Sequence, residues 1–360
     1  MRELQLLTPY KAGDLLLRNR VVMSPMTRSR SPQGFVTGLT VEYYAQRASA
    51  GLIVSEATNI SPQAVGSAFT PGIFTAQQIA AWRKVTEAVH QKEGLIFCQL
   101  WHSGRISHPD FLNGELPVAP SAIGTGGKIF TPTGWKDMVT PRELTLLEIQ
   151  QIIEDYRQAA INAMEAGFDG VELHGAFGYL PNQFLSDQSN HRTDEYGGSV
   201  TNRARFTLEV MQALISVWGS QRVGIRIAPN NVFNAVLDSN PAAIYDYLVG
   251  ELDKMNLAYL SLMNHSIDLA DYPQGIPDLK HHYRERYAGT LMTNVGYTCE
   301  SGEETLLQDK ADLVAYGTLY ISNPDLVERF ALGLPLNPAD RATFYGGDEK
   351  GYTDYPVWEE

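Results

Sequence analysis

The chain has 360 residues, 28 basic against 41 acidic, a net charge of -13 and a hydrophobic fraction of 44%, which suffices for one large core or two average domains. An acidic field without a basic block repels nucleic acid and anionic membranes. No apolar window reaches membrane-spanning length and no cleavable leader opens the sequence, so a cytoplasmic protein acting on small molecules is expected, monomeric or weakly homo-oligomeric.

Cys98 and Cys299 lie far apart, Cys98 inside the apolar run LIFCQLW, and an inert buried thiol needs no disulfide framework. Net charge says nothing about pockets. The scattered Arg28, Arg30, Arg105 and Arg226 can still form a small phosphate site.

In chain order, residues 5–7 are expected to pair with 15–17 across Gly13-Asp14. Short apolar runs then predict eight buried strands, at residues 20–26, 52–58, 95–101, 170–175, 223–229, 258–263, 290–295 and 313–318. Helical patterns fill the intervals. The clearest opens at Thr145, where Thr-Leu-Leu-Glu forms a capping box ahead of the stripe Ile149, Ile152, Ile153, Tyr156, Ala159, Ala160 and Ala163. Others open at Ser199, at Asn240-Pro241 and at Asn323-Pro324-Asp325.

Strands apolar on both faces and alternating with helices must run parallel under cover. The expected fold class is therefore α/β, a single (β/α)8 TIM barrel domain over residues 1–360, with an N-terminal hairpin and a long excursion after strand 3, residues 102–142. An open doubly wound sheet is the alternative. Against it, no GxGxxG follows any strand, and polar residues fall at many strand ends rather than at one switch point. The run GTGGK at 124–128 lacks the Ser or Thr of a phosphate loop and reads as flexible excursion.

The carboxyl ends of these strands, which a barrel gathers at one mouth, carry Pro25, Thr27, Ala57, Gln99, Trp101, His174 with Tyr179 beyond it, Arg226, Asn294, Val295, Gly296, Gly317 and Thr318. Period two puts Glu172 and His174 on the inner face, Val171 and Leu173 on the outer. The set has no HExxH, no Cys or His cluster and no serine beside a base, so no metal site is expected and acyl transfer lacks its parts. A bound cofactor would supply the chemistry.

A flavin fits. Gln99 can donate and accept along its pyrimidine edge, Arg226 can neutralise charge at N1 and O2 on reduction, and Thr27 can donate to O4. The alternative for Gln99 and Arg226 is a polar barrel layer holding an ion pair with Glu172. His174 and Tyr179 together can grip a carbonyl and deliver a proton; the alternative is a core histidine beside an interfacial tyrosine. The glycines at 296 and 317 let backbone amides approach a phosphate. Phe344, Tyr345, Tyr352 and Tyr355 near the C-terminus must pack back, either onto the mouth or onto the outer helices. His102 and His108 belong to the third-strand loop, while His90, His281 and His282 read as helix-surface residues.

The runs RVVMSPMTRSR, EYYAQRASAGLIVSEAT, CQLWHSGR, AGFDGVELHGAFGYLPNQFLSDQSNHRTDEYGGSVTNRARF, ISNPDLVERF and FYGGDEKGYTDYP closely resemble the Old Yellow Enzyme family of FMN-dependent ene-reductases, and within it the N-ethylmaleimide reductase and pentaerythritol tetranitrate reductase group. The resemblance covers essentially the whole chain. It implies noncovalent FMN held by Pro25, Thr27, Ala57, Gln99 and Arg226, with phosphate at Val295, Gly296, Gly317 and Thr318, and NADPH or NADH as reductant. It implies hydride transfer from flavin N5 to activated alkenes (enones, maleimides, nitroalkenes), with His174 holding the carbonyl, Tyr179 giving the proton and Thr27 touching the flavin. A substrate pocket of Ser67, Trp101, His174, Phe177, Tyr179, Phe233, Asn234 and Tyr345 follows.

The departures from the family pattern fall around that pocket. Phe177 stands where the motif has a second donor, Ser67 where close relatives carry tyrosine, Leu269 near a tryptophan position, and Thr318 where arginine usually follows the glycine. They leave a flavin-binding barrel with a role other than alkene reduction as the alternative function.

Overall fold

Strands with two apolar faces cannot present either to water, and here eight of them close on one another. The computed structural model describes residues 3–264 and 267–358. The barrel strands are β1 (Val21–Met23), β2 (Leu52–Val54), β3 (Ile96–Trp101), β4 (Gly170–Gly175), β5 (Val223–Ile227), β6 (Tyr259–Met263), β7 (Leu291–Asn294) and β8 (Leu313–Tyr316). Each pairs in parallel with the next, and β8 returns to β1 with Val314 opposite Val21, so no edge is left. The (β/α)8 barrel expected from the sequence is the observed fold.

Two cores result. Outward residues such as Val171, Leu173, Ile225 and Leu260 meet the helices, while Val22, Leu52, Val54, Phe97, Tyr259 and Met292 fill the interior. The interior cluster continues into Ala12, Leu15 and Leu17, so the N-terminal hairpin plugs the bottom of the barrel and leaves the top for chemistry.

The hairpin's first strand differs from expectation. It is Tyr10–Ala12 that pairs with Leu15–Leu17, with Ala12 opposite Leu15, whereas Gln5–Leu7 is a 3-10 turn. A two-residue turn at Gly13-Asp14 joins immediate neighbours, which puts residues 5–7 out of reach. Seven barrel strands also stop two to four residues early or begin one late. Pro25 has no N–H to donate, Val295 has φ +84°, and Thr318 already starts the helix Thr318–Ser322.

Three helix starts fall as expected. Thr145 caps Leu146–Glu165 by accepting from the Glu148 amide, Ser199 caps Val200–Trp218, and Asn240 caps Pro241–Asp253 with proline in the first turn. The fourth begins later, at Leu326, with Asp325 in the capping position. The excursion after β3 is partly ordered: Lys128–Thr131 pairs with Gly134–Asp137, and Val118–Ala119 runs parallel to Arg142–Glu143. The run at 124–128 therefore leads into a strand. No described helix is long and apolar enough to cross a membrane.

Candidate active site

At the top of the barrel the strand ends surround a cavity of about 610 Å³. β1 contributes Pro25 and Thr27 beyond its end, the chain after β2 gives Ala57 and Ser67, and β3 gives Gln99 and Trp101. His174 closes β4, with Phe177 and Tyr179 in the loop behind it; Arg226 lies in β5 and Phe233 and Asn234 follow it; Gly317, Thr318 and Tyr345 complete the wall. Val295 and Gly296 line an adjoining cavity of about 420 Å³ that shares Pro25, Phe177, Arg226, Gly317 and Thr318 with the first. Every expected site residue thus reaches one of two contiguous spaces.

Sequence reasoning missed Met26 and Ile321 in the larger wall and Ser24 and Tyr316, among others, in the smaller. Met26 and Ser24 flank Pro25, so their place at a strand end was a signal available. Leu269 does not reach the wall; it is 39% exposed and packs near Gly275.

The floor is polar and buried. Glu172 lies opposite Gln99 across β3 and β4, and His174 opposite Arg226 across β4 and β5. Gln99 Nε2 donates to Glu172 Oε1 at 2.7 Å, Arg226 Nε stands 3.7 Å from the same oxygen, and Arg226 Nη2 donates to Ser24 Oγ at 3.0 Å. Burial pushes the Glu172 carboxyl up and the Arg226 guanidinium down, each drawn back by the other. Arg226 Nε and Glu172 Oε2 have no hydrogen-bond partner among the described residues. The Gln99 carboxamide oxygen likewise accepts no hydrogen bond among the described residues. Gln99 and Arg226 thus belong both to the ion-pair layer and to the cavity lining, whereas Glu172 lies beneath it.

Above it, His174 stands edge-on to Tyr179 at 4.8 Å between ring centres, and Trp101 holds the other side of Tyr179 at 4.9 Å. Burial first, and the Arg226 charge second, push the His174 imidazole down to about 3, so it is neutral at physiological pH. The Ala176 amide donates to His174 Nδ1 at 3.4 Å, which leaves Nε2 to carry the proton and act as a donor. Burial pushes the Tyr179 phenol up to about 12, with Tyr345 adding to it. A neutral donor and a protonated acid therefore share one wall.

Phe177, 6.0 Å from His174, adds only an apolar edge, and it does so with φ +57°, a region that a bulky residue occupies under strain and asparagine tolerates.

Three of the four arginines are not phosphate ligands here. Arg28 donates to the carbonyls of Phe344 and Gly351, and Arg30 to those of Thr343, Asp348 and Lys350. Arg105 holds the carbonyls of Ile123, Asn234 and Ala235. Charges can be read from a sequence, but carbonyl partners made by distant loops cannot.

The C-terminal aromatics divide between the two places considered. Phe344 and Tyr345 face the cavity, while Tyr352 is buried and stacks on Tyr43 of the helix Gly38–Gln46 at 4.2 Å. Of the histidines, His102 is buried and His281 lies exposed on its helix, whereas His282 is partly covered and bonds Asp246.

Buried His102 sits, like His174, at about 3, while burial holds Glu56 up to about 7. Below pH 6.5 only the unfolded chain protonates these two imidazoles, so their stabilisation is present above 6.5 and lost as the pH falls toward 3. Glu56 works oppositely. Its stabilisation is present below 4.5 and lost as the pH rises through about 7. Between pH 6 and 5 unfolding should take up about one net proton, a loss of about 1.4 kcal/mol of stability over that unit. Glu56→Gln should steepen this toward about 2.8 kcal/mol. Urea midpoints at the two pH values measure it, and a flat free energy of unfolding would contradict it.

A family model described as the NADH:flavin oxidoreductase / NADH oxidase family matches residues 5–337. The chain belongs to that family. Among similar proteins, 12-oxophytodienoate reductase 1 of Oryza sativa subsp. japonica is 46% identical across 99% of this chain and 93% of its own length. 12-Oxophytodienoate reductase 2 of Arabidopsis thaliana is 42% identical across 98% and 96%.

Among solved structures, morphinone reductase in complex with tetrahydroNAD is 47% identical with a TM-score of 0.92, covering 98% of both chains. The old yellow enzyme homologue from Zymomonas mobilis is 39% identical with a TM-score of 0.94, covering 98% and 99%. As an Old Yellow Enzyme-type NADH:flavin oxidoreductase, the chain uses FMN and a reduced nicotinamide.

The residues present fit FMN. The unpartnered Arg226 Nε and the free Gln99 oxygen lie in the floor where a polar ring edge needs partners, and the aromatic wall above is that of a planar ligand. Val295 at φ +84° and Gly296 at φ +76° both have positive φ, and Gly296, with no side chain, leaves the backbone bare at the rim of the adjoining cavity, as close approach of a phosphate needs. A β-branched residue holds that conformation only where its surroundings enforce it.

Proposed function

We propose that the chain, acting as one FMN-binding domain, is an NAD(P)H-dependent ene-reductase for activated alkenes: enones, maleimides and nitroalkenes. The observation that carries this reading is the neutral His174 donor beside the protonated Tyr179, both over a floor holding Gln99 and Arg226. FMN, when bound, would supply the hydride chemistry that couples a reduced nicotinamide to the β carbon of the alkene.

The protein does the rest. Pro25, Thr27, Ala57, Gln99 and Arg226 would hold the ring, with the guanidinium offsetting negative charge on it. His174 Nε2–H binds the carbonyl or nitro oxygen and draws electron density toward it. The Tyr179 phenol gives its proton to the α carbon and recovers one from water along its partly open face. Trp101 and His174 keep that phenol in place. NAD(P)H, a proton and the alkene thus yield NAD(P)⁺ and the saturated product.

An anaerobic visible spectrum tests the reading. Flavin absorbance should bleach with NADPH and return with 2-cyclohexenone or N-ethylmaleimide. Bleaching without return would favour a flavoprotein with another electron acceptor, the reading that apolar Phe177 beside His174 supports. A colourless protein that refuses added FMN would end both.

Phe177→Asn would restore a second donor and suit φ +57° better. It should raise kcat/KM on 2-cyclohexenone about tenfold, within the roughly 1 to 3 kcal/mol that one such donor supplies. Unchanged or lower turnover in a stable variant would remove the missing donor from the account.

A further inference from the structure

The wall between the site and the solvent beyond β5 is three residues thick and strained. Phe233–Ala235 contributes Phe233 and Asn234 to the active-site cavity, with Phe233 ring-to-ring with Phe177 at 6.3 Å. Asn234 at φ +60° and Ala235 at φ +53° are both left-handed, and alanine, with a Cβ and no polar group to compensate, adopts that conformation at a cost. Behind the segment lies a second cavity of about 530 Å³, lined by Arg105, Ile123, Val232, Ala235, Leu237 and Tyr272 among others. The wall has empty space on both sides, so packing alone does not hold it.

Arg105 holds it. Nη2 donates at 2.8 Å to both Asn234 O and Ala235 O, and Nη1 at 3.1 Å to Ile123 O in the excursion. The side chain is 2% exposed, forms no ion pair among the described residues, and its Nε has no partner. A buried cation without a counter-ion is expensive, and one is retained here with its fork spent on carbonyls of strained residues. From the far end Asn234 Nδ2 donates to Phe177 O at 2.7 Å, so the same clamp reaches the residue beside His174.

We propose that Arg105 is a specificity-determining positioning residue: by gripping the Asn234 and Ala235 carbonyls it holds the Phe233 wall against the active-site cavity and sets the size of substrate admitted. It rests on the ene-reductase reading for its substrates, not for the clamp itself. Freed of Arg105, the segment relaxes into the cavity behind it and the pocket widens.

Arg105→Met keeps length and removes charge and donors. Amide hydrogen exchange over residues 232–236 should quicken about tenfold. The kcat/KM ratio of 4-phenyl-3-buten-2-one to 2-cyclohexenone should rise about tenfold, carried by KM and not kcat, while flavin reduction by NADPH stays within about twofold. Arg105→Lys, with charge but no fork, should fall between.

Ala235→Pro breaks the grip from the exposed loop side, since proline cannot hold a positive φ. It should shift the ratio the same way even where Arg105→Met fails to fold. Unchanged exchange and ratio in Arg105→Met, or an Ala235→Pro ratio equal to that of the unaltered protein, overturns the inference. If the unaltered protein reduces neither ketone, the ene-reductase reading falls, and the exchange arm alone decides the clamp.

Discussion

Tyr179→Phe should slow reoxidation of the reduced flavin by 2-cyclohexenone by about 10² to 10⁴-fold, the span that a positioned general acid contributes, while leaving reduction by NADPH nearly intact. The split follows from the geometry. Only the alkene half-reaction needs a proton at the α carbon, and the phenol, pushed up to about 12, is protonated throughout the working range. Removing the hydroxyl leaves the ring between Trp101 and His174, so the substrate still binds. Stopped-flow absorbance separates the two half-reactions. A loss shared equally between them would mean that Tyr179 positions the flavin and another group gives the proton.

A second large effect is expected in the floor. Arg226→Met should destabilise the protein by about 3–5 kcal/mol, because it strands the Glu172 carboxyl in the barrel interior. It should also weaken FMN retention. Adding Glu172→Gln removes the stranded charge, so the double variant should recover most of the stability without recovering the flavin. Urea unfolding of the apoprotein reads the first quantity and fluorescence titration with FMN the second. If stability and flavin affinity return together, Arg226 serves the barrel and not the cofactor.

How much of this was legible in the sequence differs from place to place. Period two along GVELHG put Glu172 and His174 on the inner face, and the structure agrees, because one register choice turns a whole strand. The capping box at Thr145 marked its helix because a cap is local chemistry. Where a partner lay far off, residue type gave no answer. Arg28, Arg30 and Arg105 read as possible anion ligands and turned out to bind carbonyls up to 323 residues away. Tyr345 and Tyr352, seven residues apart, go to opposite destinations, one to the cavity and one to an outer helix. Only the three-dimensional path of the tail separates them.

The two thiols carry a consequence of their own. Alkenes conjugated to a carbonyl or an imide are Michael acceptors, and a thiolate is the protein nucleophile that they alkylate most readily. Cys98 is wholly buried on the helix-facing side of β3, its thiol pushed up to about 12, and Cys299 is buried as well. On the ene-reductase reading neither thiol is accessible to such electrophiles, and longevity on maleimides should be limited by the supply of reductant and not by thiol alkylation.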